Sequence, residues 1–159
     1  MINHINKKNR PQVVDVSEKK ITKRKAIAEG YVCFEPKIFD KIQQMNTKKG
    51  SLENVAILAG IIGAKETSRI IPLCHNIKLN YINIDIKKIN KTNSLKIISE
   101  IKTNEKTGVE MEALVAVSIC CLTIYDMCKS LSKKIEIKNI KLVSKEGGKS
   151  SFSRKNKEL

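Results

Sequence analysis

A chain of 159 residues makes one domain with a core of its own, and its formal net charge of +15 comes from 31 basic and 16 acidic residues. That charge suits a nucleic-acid binder only at first sight: 27 of the basic residues are Lys and four are Arg, beside 24 Ile and 13 Asn, a joint excess that reads as codon bias. Arg, the better reader of phosphates and base edges, is scarce, so the composition keeps a preference for anionic ligands and drops the nucleic-acid assignment.

Residues 1–20 are polar and read as a flexible segment without the apolar run of a signal peptide, which leaves the chain in the cytoplasm. A single domain is expected over residues 21–149, followed by a flexible tail at 150–159. Ala26–Glu35 is a strand, and Pro36–Met45 a short helix opened by its proline. Asn46–Ser51 is a turn carrying Lys48, Lys49 and Gly50. Leu52–Arg69 is a helix whose Ala59, Gly60, Gly63 and Ala64 let another element approach closely. Pro72–Asn76 is a loop. Strict alternation at Ile82, Ile84 and Ile86 marks a strand over Leu79–Ile89, and Leu95, Ile97 and Ile101 mark its partner across the turn Asn90–Asn93. A last strand runs from Ile135 to Lys145 and ends in Glu146-Gly147-Gly148-Lys149.

The segment Gly108–Lys129 says most. Between Glu112 and Asp126 lie thirteen uncharged residues, and Leu114, Val117, Cys121, Ile124, Cys128 and Leu131 recur at helical spacing. Met111, Val115, Ile119 and Leu122 cover much of the remaining surface, so this is a buried central helix; its apolar stretch is too short for the roughly 20 residues of a bilayer span. Glu110 and Glu112 fall in the first turn, where the helix dipole favours anions. Asp126 faces the negative pole, and Lys129, one turn on, offsets that cost. The pair reads first as a surface ion pair, or as a carboxylate and an ammonium at the rim of an apolar core that shift each other's pKa and exchange protons with a ligand.

Five cysteines are an odd number without framework spacing and read as free thiols in a reducing compartment. Cys74-His75 has no second Cys/His pair at ligand spacing, so no zinc site is expected and the sequence calls for no cofactor. Strand, helices, hairpin, helix, strand is the order of an α+β sandwich, an antiparallel sheet with helices on one face. Six scattered aromatics, Tyr31, Phe34, Phe39, Tyr81, Tyr125 and Phe152, give no RNA-stacking cluster. A non-catalytic assembly subunit would account for the apolar helix and leave the acids, lysines and His75 without a use.

IPLCHNI (71–77), KTGVEMEAL (106–114), LTIYDMCK (122–129) and KEGGKS (145–150) resemble the cyclic pyranopterin monophosphate synthase family of molybdenum-cofactor biosynthesis. VDVSEK (14–19), AEGYV (28–32), KKG (48–50) and LAGIIGAKET (58–67) match it in the same order. The resemblance implies a ferredoxin-like α+β fold, a homohexamer built as a trimer of dimers with sites at subunit interfaces, and a GTP-derived cyclic nucleotide triphosphate as substrate. Carried over position by position, it makes Asp126 the catalytic acid/base and Lys129 its partner. It places Leu73, Cys74 and His75 in one substrate-binding stretch, Met111 and Glu112 in another, and Lys49, Lys145, Lys149 and Arg24 around the substrate and its phosphates. One departure lies near Ile27, where many members have a basic residue.

The chemistry stands beside that resemblance. Rebuilding a purine-derived ring and closing a cyclic phosphate need several proton transfers, which a coupled carboxylate and amine supply. Lysines at loop positions can follow the phosphates while pyrophosphate leaves, and Gly147-Gly148 allow close backbone approach. Helix continuity would hold Glu112 and Asp126, fourteen residues apart, about 21 Å from each other. Both then belong to one site only if a neighbouring chain supplies one end of it.

Overall fold

The structure, a computed structural model, describes residues 4–6, 8–44, 46–47 and 50–154. Strand β1 (Thr22–Cys33) is followed by α1 (Pro36–Gln44), the two-residue strands β2 (Asn46–Thr47) and β3 (Gly50–Ser51), α2 (Leu52–Lys65) and α3 (Thr67–Ile70). Then come β4 (Tyr81–Ile89), β5 (Ser94–Glu105), the long helix α4 (Glu110–Cys128), β6 (Glu136–Glu146) and β7 (Phe152–Ser153). The main sheet has the order β4-β5-β1-β6-β7, and every neighbouring pair is antiparallel. Without the short β7 this is two interleaved βαβ units, β1–α2–β4 split by β5 and β5–α4–β6 split by β1, the ferredoxin-like arrangement.

Period-two patterning decides the two sheet faces. In β1, Ala26, Ala28, Gly30 and Val32 are buried, while Lys25, Ile27, Glu29 and Tyr31 turn to the other side. There Glu29 accepts from Lys96 at 2.8 Å and Lys141 at 3.2 Å, a charged ladder on the face without the core. On the core face α4 lies across β1, β5 and β6, and the buried Ser99 hydroxyl of β5 donates to the Ala113 carbonyl at 2.8 Å. Helix α2 packs beside α4 through its small residues: a Cβ on Gly60 would stand 2.9 Å from the Ala116 oxygen, and one on Gly63 2.7 Å from Ile119 Cγ1.

Several boundaries differ from the sequence expectation. The helix expected over Leu52–Arg69 stops at Lys65 because Glu66 leaves helical geometry and the buried Thr67 hydroxyl donates to the Ala64 carbonyl at 2.9 Å. Within the expected turn, Asn46–Thr47 and Gly50–Ser51 pair as two short antiparallel strands. The tail beyond Ser150 contributes β7, paired with β6 through Ser144 and Lys145. Asn90–Asn93 closes the β4–β5 hairpin as a turn of 3₁₀ helix, with Asn93 in the left-handed region at φ 47°.

Helix α4 is not buried all round. Val117, Cys120, Cys121 and Ile124 are inaccessible, but Leu122 is 54% exposed because α2 covers only one flank and the sheet only the inner face. By length and composition α4 could cross a bilayer, yet half of it is buried in this domain, which makes it a core helix. The five cysteines are free; Cys120, Cys121 and Cys128 are buried, and burial pushes their thiols up to about 12, 12 and 11.

Candidate functional site

The first turn of α4 gathers most of the residues singled out by the sequence. Gly108 precedes the helix and lacks a Cβ, which leaves room for the Glu110 side chain to fold back over it; any side chain there would collide with the carboxylate. Thus placed, Glu110 Oε1 meets Lys145 Nζ of β6 at 3.0 Å. Glu112 points inward and is only 4% exposed, so burial, with a smaller contribution from the Glu110 charge, pushes its carboxyl up to about 7. Helix-dipole stabilisation alone would act in the opposite direction, and here burial wins. Glu112 can therefore serve as donor or acceptor near neutrality.

Beside Glu112 runs the loop Leu73–His75, half-buried. Burial raises the Cys74 thiol, with the Glu112 charge a lesser cause, so Cys74 is a protonated polar contact rather than a thiolate. His75 Nε2 lies 2.6 Å from the Val14 carbonyl. A carbonyl only accepts, so Nε2 carries the hydrogen, and in the neutral ring Nδ1 is left as an acceptor. Leu73, Cys74, His75, Met111 and Glu112 line one cavity of about 370 Å³.

A second cavity of about 300 Å³ adjoins it and shares Lys19, Thr107, Gly108 and Glu110 as lining. This one is basic: Arg24, Lys145 and Lys149 border it together with Lys19, Lys25 and Lys106. Its geometry depends on two glycines with positive φ, Gly147 at 87° and Gly148 at 77°. A side chain on Gly147 would strike the Lys23 carbonyl, and one on Gly148 would strike the Arg24 guanidinium. Arg24 leans over this turn, its Nη2 3.4 Å from the Lys106 carbonyl and its buried Nε without a partner among the described residues.

Asp126 and Lys129 are elsewhere. They sit at the C-terminal end of α4, Lys129 Nζ 2.6 Å from Asp126 Oδ1, with side chains 59% and 69% exposed for Lys129 and Asp126. That hydrogen bond raises the Lys129 pKa. The pair borders an apolar core only through its neighbours Ile124 and Cys128, since its charged ends reach solvent. Because α4 runs unbroken from Glu110 to Cys128, Asp126 lies about 21 Å along the axis from Glu112. Lys49 lies outside the described residues.

Thus the structure brings together Leu73, Cys74, His75, Met111, Glu112, Arg24, Lys145 and Lys149, and holds Asp126 and Lys129 apart from them. The model of the MoaC family matches residues 13–148. The chain belongs to the MoaC family. Relatives named cyclic pyranopterin monophosphate synthase include one from Helicobacter pylori, 46% identical over 149 residues that cover 94% of each chain. Another, from Campylobacter jejuni subsp. doylei, is 49% identical over 149 residues, 94% of this chain and 95% of the relative. The MoaC match spans both ends of α4 and most of the lining of both cavities, leaving out His4, Lys149 and Ser150.

Sequence reasoning missed three members of this arrangement. Glu110 was legible only as a helix-dipole acid, and its grip on Lys145 depends on a sheet strand more than thirty residues away. Lys19 and Lys106 stand inside the blocks VDVSEK and KTGVEMEAL, but in a chain with 27 Lys nothing local distinguishes them from solvated ones. Among the described residues no group of three His, Cys, Asp or Glu could hold a metal ion.

Proposed function

We propose that this MoaC-family chain is a cyclic pyranopterin monophosphate synthase of molybdenum-cofactor biosynthesis. Its substrate is (8S)-3′,8-cyclo-7,8-dihydroguanosine 5′-triphosphate, and its products are cyclic pyranopterin monophosphate and pyrophosphate, which makes it a phosphorus–oxygen lyase. The observation that carries this reading is the pair of adjoining cavities, one with Glu112, Cys74 and His75, the other with Arg24, Lys145 and Lys149. The first offers hydrogen-bonding groups to a guanine-derived ring, and the second offers cations to a triphosphate.

Ring rebuilding and phosphate closure need an acid and a base at the reacting atoms, and the roles fall to Asp126 with Lys129. Cyclic phosphate forms when a substrate hydroxyl attacks the α-phosphorus: a new phosphorus–oxygen bond forms, the bond to the pyrophosphate oxygen breaks, and the hydroxyl proton passes to the base. Lys145 and Lys149, with Lys49, balance the charge on the departing pyrophosphate. Asp126 cannot reach Glu112 within one chain, so the working site takes one end from each of two subunits. Exposed Leu58, Ile62 and Leu122 on α2 and α4 give such contacts apolar surface to cover. The assembly is a homohexamer, a trimer of dimers, of cytoplasmic location, with residues 21–149 as its catalytic domain. Incubation with the cyclised GTP intermediate tests the reaction directly: formation of the pyranopterin and pyrophosphate supports it, and unchanged substrate refutes it.

A further inference from the structure

The segment Val13–Lys19 lies outside the sheet and borders both cavities, the one of Leu73–His75 through Val14, Val16 and Lys19 and the basic one through Lys19. Val14 and Val16 are half-buried and line the cavity of Leu73–His75, as does His4 earlier in the chain. Two side chains hold it in place, each through a backbone carbonyl: His75 Nε2 on Val14 at 2.6 Å and Lys106 Nζ on Ser17 at 2.6 Å. Both belong to the loops that form the cavities. The Asp15 carboxylate accepts from the Ser17 amide and hydroxyl, and the Lys19 amide donates to Val16, so the end of the segment is folded into a turn. That turn brings Lys19 to the boundary between the cavities, where it lines both.

The other cations of the basic cavity are mostly engaged. Lys145 is held by Glu110, Lys25 by Glu100, Arg24 by the Lys106 carbonyl, and Lys106 by Ser17. Among the described residues Lys19 and Lys149 have no such partner. A ligand with a ring in one cavity and phosphates in the other crosses the boundary lined by Lys19, Thr107, Gly108 and Glu110, where Lys19 is the one cation among the described residues.

We infer that Val13–Lys19 is a strap over the site, latched by His75 and Lys106, and that it delivers Lys19 as a ligand-binding ammonium to the phosphate group at the junction of the two cavities. The inference rests on the nucleotide-triphosphate reading above and adds to it a residue and an element. It also assigns His75 a second duty: its Nε2 fastens the strap while Nδ1 is left as an acceptor.

The test uses GTP as the probe with the full chain. Titration calorimetry on wild type, Lys19→Met and Lys20→Met should show GTP binding weakened about tenfold by the loss of Lys19, as for a charge-assisted hydrogen bond, and less than about twofold by the loss of its neighbour. Hydrogen exchange at the amides of residues 13–19 should slow when wild type binds GTP, and this protection should disappear in Lys19→Met. Equal affinity in wild type and Lys19→Met, unchanged exchange across the strap, or no binding of GTP by wild type would overturn the inference. Turnover of the cyclised intermediate is scored separately. Product formation with an inert strap leaves the enzyme reading standing and removes this one. Strap protection by GTP without turnover does the reverse.

Discussion

Glu112 and Asp126 share one unbroken helix and meet opposite surroundings. The Glu112 side chain is sealed in at 4% exposure near the N-terminus of α4, while Asp126 holds Lys129 at 2.6 Å in solvent near the C-terminus. An ion pair so exposed contributes little to folding, so the proposed chemical role can be tested apart from stability. Asp126→Asn should therefore lower product formation by about 10²–10⁴-fold with an essentially unchanged Tm. Lys129→Ala should behave likewise, and Lys133→Ala, past the end of α4, should remain near wild type. Steady-state turnover with parallel thermal melts checks all three.

The basic cavity makes a different demand. Lys145→Ala and Lys149→Ala should weaken a guanine nucleoside triphosphate about tenfold or more and the matching nucleoside hardly at all, since their role is charge neutralisation. Equal weakening of both ligands in direct binding measurements would remove these lysines from the phosphate end.

Glu112 ties stability to pH. Its folded carboxyl titrates at about 7 against an ordinary 4.5, so the folded state binds the proton more tightly than the unfolded one. The sign follows: the neutral form causes no loss at pH 4, and stability falls as pH rises through the interval from 4.5 to about 7. At 1.36 kcal/mol per pKa unit the loss is at most about 3 kcal/mol. Glu112→Gln, which keeps the shape and cannot ionise, should leave stability at pH 4.5 unchanged and raise it at pH 8. Denaturant melts at the two pH values measure it.

The contact of α2 with α4 is fixed by Gly60. A methyl there would sit 2.9 Å from the Ala116 carbonyl oxygen and 3.3 Å from Cys120 Cβ, and the backbone oxygen cannot step aside. Ala gains up to about 1 kcal/mol in helix propensity, but overpacking costs about 1–3 kcal/mol. Gly60→Ala should be net destabilising, seen as a Tm lowered by several degrees.

The fold was legible because its signals are local. Alternation at Ile82, Ile84 and Ile86 and the apolar run of α4 decided strand and helix, and the small face of α2 announced its close neighbour. The end of α2 was not legible, since Thr67 bonds back to the Ala64 carbonyl only once it is buried. The exposure of Leu122 was missed for a related reason: periodicity reports an apolar surface, not whether another element covers it. The lining of the two cavities was legible where residue types are unusual for their setting, as with Glu112 and Gly147, whereas Asp126 stands apart from both. Glu110, Lys106 and Lys19 depend on contacts between distant strands, loops and the N-terminal segment, which spacing along the chain does not encode.

The central claim is that one site uses the Glu112 end of α4 from one subunit and the Asp126 end from another. Glu112→Ala and Asp126→Asn proteins, each inactive alone, should regain part of the wild-type turnover after subunit exchange, because one interface of the mixed pair then carries both native residues. No recovery in samples whose exchange is verified by mass spectrometry would contradict the claim and require a site built within a single chain.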